Sequence, residues 1–121
     1  MKWFILFLSF AALAQIPPSL EETSSRINRD LPEIYDRMTK LRSTSVENNN
    51  LIYNFLVDVN QSEYNFALPK VKNQVMSTIC SKSRERMVFH SHKANIVYRY
   101  ENVKGQSLGE FLIRPEHCPK R

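Results

Sequence analysis

The stretch from Leu51 to Val59 constrains the fold more than any other. Leu51, Tyr53, Phe55, Val57 and Val59 alternate with other residues at a period of two, the pattern of a β-strand with one buried face. Ile52 and Leu56 add apolar groups to the second face, so partial cover is expected there too. A chain organised around such a strand must supply a sheet and a layer to pack against it. Thr39–Val46, rich in Thr and Ser and loosely alternating, is the expected partner strand across the turn Glu47-Asn48-Asn49-Asn50. A second hairpin is expected further on. Ala94, Ile96, Tyr98 and Tyr100 alternate, Asn102-Val103-Lys104-Gly105 turns the chain, and Leu108–Arg114 runs until Pro115 stops it.

Helical signals lie between and before the hairpins. Asn60 to Asn65 reads as a polar loop. Ala67-Leu68-Pro69 then opens a helix to about Cys80, with Leu68, Val71, Val75 and Ile79 as its buried stripe. A short second helix passes through Met87-Val88-Phe89, with Ser81 or Ser83 as its cap. Near the start, Ser19-Leu20-Glu21-Glu22 fits a capping box for a helix from Leu20 to Arg29, thin in apolar residues and therefore marginal. Asp30-Leu31-Pro32-Glu33 restarts the signal, and Leu31, Ile34, Tyr35 and Met38 follow at helical spacing. The fold class read from this pattern is α+β in two layers. A four-stranded antiparallel sheet made of two hairpins carries helices on one face, in the order α-β-β-α-α-β-β. Tyr53, Phe55, Tyr98 and Tyr100 are the expected aromatic core.

Residues 1–14 set the compartment. Met1-Lys2 gives a positive start, Trp3 to Leu13 is apolar apart from Ser9, and Ala12-Leu13-Ala14 offers a small-x-small cleavage site. The run is too short to anchor in a bilayer, so it reads as a secretory signal peptide. Residues 15–30 form a lead-in with the marginal helix, and 31–121 a single domain. Without the leader, roughly 110 residues remain, enough for one core. No other stretch is long and apolar enough to span a membrane. The expected location is periplasmic or secreted.

That location gives Cys80 and Cys118, the only two cysteines, a simple reading as one disulfide tying the tail to the middle of the chain. Two buried thiols or intermolecular pairing are the alternatives. Charge is divided along the sequence. Residues 15–67 carry five Lys/Arg against eight Asp/Glu, and residues 68–121 eleven against four. Lys82, Arg84, Arg86, His90, His92 and Lys93 form a basic cluster, a candidate surface for an acidic or anionic partner. An exposed sheet edge is the other candidate.

Enzyme signatures are missing. The chain has two glycines, Gly105 and Gly109, which excludes Gly-rich phosphate loops, the dinucleotide fingerprint and the nucleophile elbow. His90-Ser91-His92 would put two imidazoles on one side of a strand, but a metal needs further ligands, and Glu116 or His117 could supply one only if the tail folds back. No metal, cofactor or catalytic residue is assigned. Glu33 with Asp36, and Asp58 with Glu63, are close only in sequence. Nucleic acid is not an expected partner, because Tyr98 and Tyr100 alternate away from Arg99. Asn60-Gln61-Ser62 is a glycosylation sequon.

Three resemblances follow from particular residues. Glu101-Asn102-Val103-Lys104-Gly105 resembles the Q-x-V-x-G hairpin of cystatins, departing at its first residue. This implies, as an alternative function, an inhibitor of a hydrolase or protease that presents Val103 at a hairpin tip. Across residues 30–118, a wider set of positions resembles small exported proteins of Gram-negative bacteria. These are Leu31-Pro32 with Asp36, Thr39 and Leu41, then Leu51-x-Tyr53-x-Phe55, Cys80 ahead of Arg86, Tyr98-x-Tyr100, Gly105 and Cys118. His90-Ser91-His92 stands where that pattern has a glycine turn. The resemblance implies a periplasmic α+β domain with bridged cysteines and no attached activity. In size, location and helix–sheet order the chain is also similar to pilotins, small disulfide-bearing proteins that escort secretion-system components. The expected function is therefore a non-enzymatic exported binding or accessory module for an envelope protein or anionic surface.

Overall fold

A computed structural model describes residues 18–58 and 66–120. The leader, Val59, Glu63 and the Asn60 sequon lie outside the described residues. The chain begins with helix α1 (Leu20–Arg29), whose first turn is capped by Ser19, its Oγ accepting from the Glu22 N–H at 3.2 Å. Strands β1 (Glu33–Ile34), β2 (Thr39–Glu47) and β3 (Asn50–Val57) follow. Helix α2 (Leu68–Thr78), a 3-10 turn (Ile79–Ser81) and helix α3 (Ser83–His90) lead to β4 (Asn95–Asn102) and β5 (Ser107–Ile113). A last 3-10 turn (Pro115–His117) delivers Cys118 to Cys80 in a disulfide.

The class is α+β, but the sheet has five strands and is mixed, in the order β1-β2-β3-β4-β5. Both expected hairpins are present, as β2–β3 and β4–β5. They join in parallel, with Leu51 beside Ile96 and Tyr53 beside Tyr98. The four-stranded antiparallel expectation is therefore corrected on two points. The first has a topological cause: α2 and α3 form a crossover long enough to carry the chain back to the end of the sheet where β3 began, and such a connection makes the flanking strands parallel. The second is the extra strand. Residues 31–38 form β1 and a turn, not the expected helix. Pro32 disfavours helical geometry at Leu31. The Asp36 carboxylate accepts from the N–H groups of Met38 and Thr39, each at 2.8 Å, and so folds the chain back onto β2.

One face of the sheet carries the core. Leu51, Tyr53, Phe55 and Val57 from β3 meet Ile96, Tyr98 and Tyr100 from β4, with Phe111 and Ile113 from β5. Phe55 stacks on Tyr98 and Tyr100 at 5.5 and 4.9 Å, and Tyr98 stacks on Phe111 at 5.3 Å. Ile27 of α1, Ile79, and Val88 and Phe89 of α3 close over these rings. The expected stripe of α2 divides. Ile79 is fully buried in the 3-10 turn, while Leu68, Val71 and Val75 are half-buried. The second face holds Ile52 and Val97, both buried, among polar side chains. There Arg99 pairs with Glu110 at 3.2 Å, and Arg42 reaches Glu101 at 3.6 Å.

Helix α1 owes its seat to polar groups more than to apolar ones. Ser24 Oγ lies 2.6 Å from Thr44 Oγ1 in a buried contact. Asn28 acts as a surrogate strand residue: its Nδ2 donates to the Thr44 carbonyl at 3.0 Å and its Oδ1 accepts from the Thr44 N–H at 2.7 Å. The outer rim of β2, paired with β1 only through Lys40 and Leu41, is thus satisfied further along by a side chain. Replacing Asn28 by alanine leaves both Thr44 groups without these partners. A loss of about 1–3 kcal/mol is expected in urea unfolding, and a loss below a few tenths would show that water substitutes freely.

Candidate partner-binding face

The basic segment runs along α3 and its ends, and the structure gives most of its members internal partners. Arg84 donates through Nε to Glu85 Oε2 at 2.8 Å and through Nη1 to Glu33 Oε2 at 3.2 Å, and its guanidinium lies 5.5 Å from the Tyr53 ring centre. Arg86 Nη1 donates to the Cys80 carbonyl at 3.1 Å. His92 Nε2 is 3.0 Å from Thr23 Oγ1, linking the end of α3 to α1. His90 is half-buried, and its Nε2 is buried without a hydrogen-bond partner among the described residues. Lys93 takes a left-handed backbone conformation, and its carbonyl accepts from Asn49 Nδ2 at 2.8 Å. Lys82 and Lys93 are exposed, and Lys82 Nζ sits 5.3 Å from the Tyr35 ring centre. The six residues therefore share a segment, and of them Arg84 is paired with acidic neighbours.

Beneath them lies a feature the sequence reading missed. Glu85 is 2% exposed and carries a carboxylate into the core, where it accepts from the Tyr53 hydroxyl at 2.9 Å as well as from Arg84. Arg84 extends the network to Glu33 on β1, and Tyr35 next to it packs edge-on against Phe55 at 5.0 Å. Burial, reinforced by Glu33 and Glu85, raises the Tyr35 hydroxyl above its ordinary titration range. Burial and then Glu85 do the same for Tyr53. For Tyr98 the causes are burial, then Tyr53 and Glu85. All three hydroxyls stay protonated at neutral pH, and that of Tyr53 donates to Glu85. The arrangement locks β1 and α3 onto the sheet. Glu33 and Asp36, paired only by sequence proximity, serve separate purposes here: an ion pair and a turn.

A cleft of about 270 Å³ opens beside this network, between α1 and α3. Thr23, Arg26 and Ile27 line one side, and Glu33, Arg84 and Met87 the other. Met87 on its lining is 39% exposed and Tyr35, which packs on Phe55, is 36% exposed, whereas Ile34, 69% exposed, pairs with Lys40 and so points to the opposite face of the sheet. Among the described residues no group of three or more His, Cys, Asp or Glu is placed to hold a metal ion. His117 stands apart from His90 and His92, its Nε2 on the Met76 carbonyl at 2.8 Å. The cystatin-like turn is built around Asn102, whose Oδ1 accepts from the N–H groups of Lys104 and Gln106, both at 3.0 Å, leaving Val103 53% exposed at the tip.

The fold, an α+β domain with a five-stranded mixed sheet and helices on one face, is shared with other solved structures. A protein of Pseudomonas aeruginosa described as secreted is similar over 85% of this chain and 100% of its own, at 20% identity and a TM-score of 0.64. The pilotin EpsS of the Vibrio vulnificus type 2 secretion system is similar over 83% of this chain and 91% of its own, at 14% identity and a TM-score of 0.64. The type II secretion pilotin AspS of Vibrio cholerae is similar over 81% and 87%, at 13% identity and a TM-score of 0.64. No protein-family model matches the sequence, and the search of curated proteins finds no match. Among the described residues no helix is long and apolar enough to cross a membrane.

Proposed function

We propose that this protein is exported and acts outside the cytoplasm as a non-enzymatic accessory protein that binds an envelope protein. The reading is carried by the shared fold with a secreted protein and two secretion-system pilotins. The leader over residues 1–14 and the Cys80–Cys118 bridge support it, since structural disulfides belong to oxidising compartments. The contact surface is the α1–α3 cleft with exposed Tyr35 and Met87, and Lys82 beside Tyr35 supplies charge for an acidic rim on the partner.

The test follows from how the side chains are engaged. Reversing the charge of Arg84 or Arg86 would disturb the core or the disulfide region and confuse binding with folding. The combined change Lys82→Glu and Met87→Asp touches exposed side chains alone. Affinity capture from the native envelope fraction should recover a stoichiometric partner with the unaltered protein. Recovery should fall by about tenfold or more with the double variant, at unchanged circular dichroism. Equal recovery from both proteins would move the contact elsewhere.

A further inference from the structure

The two edges of the sheet differ. On one side the edge strand is β1, only two residues long, and beyond it the rim of β2 is met by the amide of Asn28. Strand β5 pairs with β4 alone, and among the described residues no backbone hydrogen bond joins its outer side to another element. An edge strand of seven residues whose outer backbone is unpaired among the described residues is a template for another strand.

The side chains of β5 say which strand fits. On the open face of the sheet, Glu110, Leu112 and Arg114 follow one another at alternate positions, an acid, an apolar residue and a base. The sequence is self-complementary about Leu112. We propose that two copies of this chain associate by antiparallel pairing of β5 with β5 about Leu112, so that Glu110 of each copy faces Arg114 of the other. Three observations support that register. Leu112 is 41% exposed, although its neighbours in the same row, Val97 and Ile52, are buried; pairing continues that apolar row across the two-fold axis. Glu110 already pairs with Arg99, so the incoming Arg114 completes a cross-strand ladder of alternating charge. Arg114 is itself exposed and has no ion-pair partner among the described residues. On the core side, Phe111 comes opposite Ile113, and the half-buried Leu68, Val71, Val75 and Met76 of α2 are brought towards the new seam. The alternative register centred on Glu110 would oppose two carboxylates and is disfavoured.

Sedimentation velocity over a concentration series should show a reversible monomer–dimer equilibrium. Arg114→Glu should weaken it by about tenfold or more, because each symmetric contact becomes a repulsion, and adding Glu110→Lys should restore it. Leu112→Cys places two thiols on directly opposed residues, where antiparallel strands bring Cα atoms within disulfide range, and mild oxidation should give a covalent dimer seen on non-reducing gels. Circular dichroism of each variant shows that the monomer fold is intact. A protein that is monomeric throughout and forms no covalent dimer, or a dimer indifferent to Arg114→Glu, would overturn the proposal.

Discussion

Glu85→Ala is expected to destabilise the domain by about 3–5 kcal/mol, the scale measured when one member of a buried ion pair is removed. The carboxylate is 2% exposed and accepts from both Arg84 and Tyr53. Its loss leaves the Tyr53 hydroxyl without an acceptor inside the core. It also leaves Arg84 with Glu33 alone, an outer partner whose side chain is 43% exposed. Much of the cost is the desolvation of groups whose partner has gone, not the worth of the contact itself. Glu85→Gln is the informative control: it retains a carbonyl acceptor at similar volume but removes the charge, so its loss should be clearly smaller. Guanidinium unfolding monitored by both fluorescence and far-UV circular dichroism gives the comparison. A loss below about 1 kcal/mol for the alanine variant would show that the network is dispensable.

Breaking the Cys80–Cys118 bridge should have an effect of similar size by a different route. The cysteines are 38 residues apart, and cross-linking a loop of that length lowers the entropy of the unfolded chain enough to stabilise the fold by about 4 kcal/mol. Cys118 is fully buried against the core, so removal also frees the last turn, with His117 on Met76 and Arg86 on the Cys80 carbonyl. The double change Cys80→Ser and Cys118→Ser should lower the melting temperature by about 15 °C or more in a domain of this size. Differential scanning calorimetry measures it, and a shift of only a few degrees would mean that packing alone holds the tail.

Local pattern revealed the strands better than their arrangement. The alternation through Leu51, Tyr53 and Phe55, and again through Ile96, Tyr98 and Tyr100, reports burial against one face and does not depend on neighbours. Asn102 and Gly105 mark their turn because few residues accept that backbone. Cys80 and Cys118 stood out as the only two cysteines, a pair that reads as one bridge if the chain is exported. The parallel junction between β3 and β4 leaves no such mark, because Tyr53 beside Tyr98 is a fact of topology. At residues 31–38, the helical spacing of Leu31, Ile34 and Met38 competed with Pro32 and with the Asp36 side chain, and the turn chemistry prevailed. The basic segment was visible only as charge. Arg84 and Arg86 face inward because partners sit there, and those partners come from Glu33 on β1, Glu85 on α3 and the Cys80 carbonyl. A clue to Glu85 was available: it lies three and four residues before Val88 and Phe89, on the apolar side of its own helix.

The Asn28 amide on Thr44 has a consequence for how far association can proceed. With that flank stoppered, sheet growth is possible in one direction only. Joining two β5 strands consumes the one long rim among the described residues of each copy, the other edge being the two-residue β1, so the assembly terminates at a pair instead of propagating as a fibril. Removing the Asn28 amide would reopen the far flank and give each molecule two adhesive sides, turning a self-limiting contact into a potential polymer.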